Sequence, residues 1–148
     1  MASIVEDIVT QMKAQIATEI PGRSESRYVW SLETNSYRTN KDLFAVRPLG
    51  GSSVPGTNKT ITIDQTFEVV LSTEFKNKGD NDASLQDAIF ALHQDVEILY
   101  RFAYQRKFNI QRVLVVNSVE IAEADIDNGN NIVSVASRFN IKYRTSEA

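Results

Sequence analysis

Three stretches of this 148-residue chain bring together residue types that can do chemistry, and spacing decides against each. Gly51-Ser-Ser-Val-Pro-Gly56, with Lys59-Thr60 close behind, has the glycine separation of a loop whose amides cradle phosphate. In such a loop the lysine follows the second glycine directly and starts a helix. Here Thr57-Asn58 intervene and a strand-like pattern follows, so the segment reads as a loop and not a nucleotide site. Asp125-Ile-Asp127-Asn128-Gly129 offers the alternating carboxylates of a calcium loop, but the glycine comes one place early and the bidentate position falls on Ala136. Asp80-Asn81-Asp82 lacks both the glycine and the later glutamate, and suits a helix start.

His93 is the only histidine, and the chain has no cysteine. Disulfides, thiolate nucleophiles, iron–sulfur clusters and cysteine zinc sites are therefore excluded. As a general base, His93 would need a carboxylate and a nucleophile converging on it. Arg101, Arg106, Lys107 and Arg112 crowd the end of a helical stretch, where cations complement the carbonyl end of the dipole. The same four form a candidate basic docking patch for an acidic neighbour or a nucleic-acid backbone, which Arg138, Lys142 and Arg144 would extend. A net charge of −3 excludes a strongly basic whole-domain nucleic-acid binder. Phe102, Tyr104 and Phe108 read as core and rim, not as a base-stacking platform.

The elements that must position these residues follow from periodicity. Ile4, Ile8, Met12, Ile16 and Ile20 recur every fourth residue, giving an amphipathic helix that Pro21-Gly22 ends and Ser3, with Glu6, caps. Residues 27–32 and 43–48 read as strands joined by a polar stretch at 35–40. Residues 49–60 hold a glycine, serine and proline cluster without periodicity, which reads as a flexible hairpin tip. From 61 to 75 the alternation is almost unbroken: Ile61, Ile63, Phe67, Val69, Leu71 and Phe75 on one face, Thr62, Asp64, Thr66, Glu68, Ser72 and Glu74 on the other. At about 3.3 Å per residue this strand would run roughly 50 Å, beyond the roughly 40 Å width of a compact domain this size, so it must bend or project. After the polar residues 76–82, Leu85, Ala88, Ile89, Leu92, Val96, Leu99 and Ala103 mark a second helix, with Asp82 or Ser84 as its cap. Residues 112–126 and 132–143 read as two strands around an Asn128-Gly129 turn.

The expected fold is therefore α+β: one domain over residues 1–148, a mostly antiparallel β-sheet with a long projecting β-hairpin, and two α-helices packed on one face. Glu6, Asp7, Lys13 and Glu19 interrupt the first twenty residues, which excludes a signal-peptide core or membrane span there and leads us to expect a soluble, unexported chain.

In the order and length of its elements the chain resembles the tail terminator (tail completion) proteins of long-tailed bacteriophages. The long strand 60–75, the helix 84–104 ending Tyr100-Arg-Phe-Ala-Tyr104, and the final run 132–143 carry the resemblance, which spans nearly the whole chain. It implies a structural virion protein and no enzyme: a ring, usually a homo-hexamer, at the head-proximal end of the tail, assembled in the host cytoplasm. Such a ring caps the tail tube, ends its polymerisation and presents a surface for the head. The implied partners are the tail tube protein and a head-completion or neck protein, with duplex DNA passing through unbound and no cofactor or membrane involved. Six bodies about 40 Å across leave a hole of similar width, which admits duplex DNA.

On that reading Gly50, Gly51, Ser52, Ser53, Val54, Pro55, Gly56, Thr57, Asn58 and Lys59 form a loop meeting a neighbouring subunit or the tube. Asp64, Glu68 and Glu74 are candidates for the channel lining, where like charge would keep DNA from sticking; their other reading is a solvated sheet face. Competing functional readings are a different head-tail connector or neck component, a small ligand-binding or enzymatic α+β domain built around His93, and a nucleic-acid-binding module.

Overall fold

A computed structural model describes residues 3–25, 42–56, 59–75, 81–106, 108, 113–127 and 131–146, with the backbone alone at 81–83, 106, 114, 127 and 146. The strand expected at 27–32, the polar stretches at 35–40 and 76–80, and the Asn128-Gly129 turn lie outside the described residues. The elements run α1 (Ile4–Glu19), β1 (Ser24–Glu25), β2 (Asp42–Pro55), β3 (Thr60–Glu74), α2 (Asn81–Arg106), β4 (Val113–Ile121), β5 (Asp125–Asp127) and β6 (Ile132–Ser146).

The fold is α+β. Among the described residues the strands form one sheet in the order β1-β2-β3-β6-β4, with β5 also on β6, and only the short β1–β2 pairing is parallel. The α1 stripe buries Ile8, Met12 and Ile16, and the α2 stripe buries Leu92, Val96, Leu99 and Ala103. Both pack into one cluster with Phe67, Val69 and Leu71 of β3 and Val133, Val135, Phe139 and Ile141 of β6, the alternate residues that a two-residue period points inward. Ser3 Oγ accepts the Glu6 N–H at 3.0 Å, so the expected N-cap forms. The helix begins at Asn81, which puts Asp82 and Ser84, the residues expected to cap it, within its first turn.

Two strand expectations change. The stretch read as a single strand from 112 to 126 breaks after Ile121 and resumes at Asp125; the Ala122 N–H still reaches Ala136 O at 2.9 Å across the gap. The segment read as a flexible tip is largely strand: Gly51, Ser52, Ser53, Val54 and Pro55 pair with Gln65, Asp64, Ile63, Thr62 and Ile61. Glycine and serine have weak β-propensity, but β3 is held on its other side by β6 in fifteen consecutive rows and offers β2 a rigid template. The turn shrinks to the few residues between Gly56 and Thr60, closed by Gly56 N–H to Thr60 O at 2.7 Å, with Lys59 at φ 60°.

Register slips once along β2, between Pro48 and Gly51. A β-bulge there leaves a carbonyl to satisfy, and Gln65 does so: its Nε2 donates to Leu49 O at 3.0 Å while its Oε1 accepts from the buried Tyr143 hydroxyl at 2.9 Å. Gly51 has no alternative at this point, because a Cβ would lie 2.2 Å from Asp64 O and 2.7 Å from Gln65 Cα, both backbone atoms that cannot yield. Phe108 also holds an unusual backbone, φ 53°, anchored by edge-on contacts to Phe139 and Phe102 with ring centres 5.2 and 6.1 Å away. At the far edge of the sheet the Val119 N–H of β4 is taken by the Tyr104 hydroxyl of α2 at 2.8 Å.

Gly51→Ala should cost about 2 kcal/mol in urea unfolding through overpacking against backbone, where an alanine at the open position Gly50 costs little. Burial raises the Tyr143 phenol above its ordinary value near 10. Below that pH both folded and unfolded chains keep the proton; above it the unfolded chain releases it first, so stability falls as pH rises. Between pH 9 and 11 the wild type should lose more stability than Tyr143→Phe, and equal slopes would contradict this.

Candidate assembly surfaces

The sheet face opposite α1 and α2 carries an ordered row of charge. Arg47, Glu68, Arg138 and Glu120 stand directly opposite one another on β2, β3, β6 and β4. Glu68 is 2% exposed, and both its oxygens are engaged, Oε1 by Arg47 and Oε2 by Arg138 Nε at 2.9 Å. The Glu68 hydrogen bond, then its charge, raises the Arg138 guanidinium above its ordinary value, with a smaller push from Glu120. One row group further along, Asp64 faces Lys142 at 4.0 Å and accepts from Asn117 Nδ2 at 2.7 Å, while the same nitrogen donates to Asn140 Oδ1 at 2.8 Å.

These contacts divide the proposed channel lining. Glu68 is not a solvated carboxylate: it is buried and neutralised from both sides. Ser72, also read onto the solvated face, is buried, as are Leu43, Ala45 and Val70 beside it. Asp64 remains half-exposed beside a cation, and Glu74 is exposed at the opposite end of β3. What alternation alone could not reveal is that the polar positions of four strands meet in register with alternating sign.

The basic patch is likewise thinner than it reads in sequence. Arg101 is exposed but pairs with Glu97 one turn earlier, and Arg138 and Lys142 face Glu68 and Asp64. Arg106 ends α2, its side chain outside the description, and Lys107 and Arg112 lie outside the described residues. Arg144 is exposed near the end of β6, in one row with Thr62 and Val54.

Of the ten residues read as an interface loop, Gly50 to Pro55 are exposed strand, Gly56 and Lys59 flank the turn, and Thr57 and Asn58 lie outside the described residues. Val54 is 60% exposed and Ile61 38% exposed. The chain has no acidic residue between Asp42 and Asp64, so this end of the ribbon combines bare aliphatic side chains with the cations Lys59 and Arg144.

The other end of the β2–β3 hairpin is a different environment, and nothing in the sequence pattern singled it out. Arg23, just beyond α1, is buried; its Nε donates to Asp95 of α2 at 2.7 Å and its Nη1 to Ser72 O at 2.7 Å. This guanidinium joins α1, α2 and the sheet. Beside it opens a cleft of about 470 Å³ whose walls include Glu19, Asp42, Asp95, Ala91 and Ile98. The clue was an arginine following a helix-stopping Pro-Gly pair, which composition treats as surface.

His93 is exposed on α2, away from that cleft. Among the described residues no three His, Asp or Glu side chains gather as a metal set, and no helix is long and apolar enough to cross a membrane. Compared with known proteins, the chain matches no family model and no curated protein sequence.

Glu68→Gln keeps the shape of the side chain but leaves two guanidiniums facing a neutral amide, and should lower unfolding stability by about 2 kcal/mol with little dependence on salt. Arg138→Gln, at a half-exposed position, should cost far less. The reverse ranking in denaturant melts would contradict the central place given to Glu68.

Proposed function

We propose that this chain is a structural subunit of a long-tailed bacteriophage, one of a ring of six that caps the head-proximal end of the tail tube, stops its growth and offers the surface to which the head is joined. The observation that carries this reading is the ribbon itself. Three strands, β2, β3 and β6, run side by side to an end where Val54 and Ile61 stay exposed. Exposed aliphatic side chains at the end of a paired ribbon gain by burial against another chain.

The element order supports it as well, because helix, long hairpin, helix and C-terminal strands follow one another as in the tail terminator proteins that the sequence resembles. In this role the protein acts by docking alone and carries out no reaction. Neither the interior of the ring nor its contacts need a cofactor, and DNA passes through without specific recognition.

Electron microscopy of purified tail tubes mixed with the protein is the direct test. The expected result is density at one end of each tube and arrest of elongation when fresh tube subunits are added. Undecorated ends and unchanged elongation would overturn the proposal.

A further inference from the structure

The bulge between Pro48 and Gly51 divides β2 into two halves that are held in different ways. Before it, Leu43, Phe44, Ala45 and Val46 are all buried, and the Arg47 side chain is paired with Glu68. Beyond it, every residue from 50 to 56 is exposed, so five rows of pairing with β3 carry no buried apolar side chain of β2. Two glycines and two serines also give this stretch weak β-propensity and a large gain in backbone freedom on release.

Among the described residues one side-chain hydrogen bond reaches the outer half, Gln65 Nε2 to Leu49 O at 3.0 Å. Gln65 is itself fixed from the core, since the buried Tyr143 donates its hydroxyl to Gln65 Oε1 at 2.9 Å. β3 does not depend on β2 here, because Ile61, Ile63 and Gln65 pair on the other side with Thr145, Tyr143 and Ile141 of β6. We infer that the outer half of β2, residues 49–55, is a strap that opens as its own unit at the bulge, with Gln65 and Tyr143 as its latch. Local openings of this kind arise where paired backbone has few buried apolar contacts. Opening bares the β3 edge at residues 61–65 while β6 keeps that edge extended, the form in which a strand pairs with another. The motion belongs to a single chain and does not rest on the ring reading.

Particular amides report the opening. The Gly56 N–H bonds Thr60 O, and antiparallel pairing alternates, so Val54 and Ser52 also turn their amides to β3 while Thr62 and Asp64 return theirs. Across the bulge Ala45 and Val70 form the corresponding pair. Hydrogen exchange followed by NMR on the full chain at neutral pH should show Ser52, Val54, Thr62 and Asp64 exchanging together, about a hundredfold or more faster than Ala45 and Val70. The fast four should also respond less to low concentrations of urea, because a local opening exposes little surface. Equal rates on the two sides of the bulge would overturn the inference.

Variants separate the latch from the strap. Gln65→Met removes the bond to Leu49 O, and Tyr143→Phe frees Gln65 from its anchor; each should speed the four outer amides about five- to tenfold over wild type. Acceleration confined to Ala45 and Val70 reports a loss of global stability alone and would overturn the latch. Gly50→Ala, at a position with open space around it, restricts the released strap and should slow the outer four about two- to fivefold. Outer amides that ignore Gly50→Ala as well as both latch variants would overturn the strap. The wild-type comparison and Gly50→Ala need neither latch variant to fold.

Discussion

The pairing of β3 with β6 is the constraint on which the rest of the molecule depends. Fifteen rows run without a slip, and because side chains alternate with a period of two, a shift of one residue would turn one strand over relative to the other. Either Phe67, Val69 and Leu71 would leave the helices, with Glu68 driven inward, or Val135, Phe139 and Ile141 would, with Arg138 driven inward. The Arg47, Glu68 and Arg138 row marks the correct register from the other side, since opposite charges coincide there only in the observed alignment. Apolar and ionic faces thus specify the same answer, one by burial and the other by the cost of leaving a buried carboxylate without partners.

Much of this was legible in the residues. The fourfold spacing of Ile8, Met12 and Ile16, the long alternation of β3 and the clean alternation of β6 each carry their own period, and the structure places those residues in one core. Where expectation failed, a neighbour overrode local preference. Gly51 to Pro55 have no strand pattern, yet they pair because β3 and β6 present a finished edge, and Gln65 supports the bulge between Pro48 and Gly51. The uninterrupted pattern of 112 to 126 concealed a break at Ala122, for which spacing offers no signal.

Site residues were less legible than elements, for a reason that applies widely. Alternation tells which face a polar residue takes but not who stands beside it. Glu68 and Asp64 look alike in sequence, yet one is enclosed by two arginines and the other lies half-open beside a lysine. Arg23 looks like a surface cation after a helix stop, yet it bridges two helices and the sheet. In each case function depends on tertiary neighbours that become visible only when strands are laid in register.

A long ribbon has two free sides as well as two ends, and an uncovered strand side invites open-ended stacking into fibrils. On β4 the Val119 amide is occupied by Tyr104, and two register shifts disturb the row of groups that an incoming strand would need. That rim is a poor template for cross-β growth. The molecule can therefore carry an unusually extended sheet, with aliphatic side chains in the open, without that flank acting as a seed for amyloid.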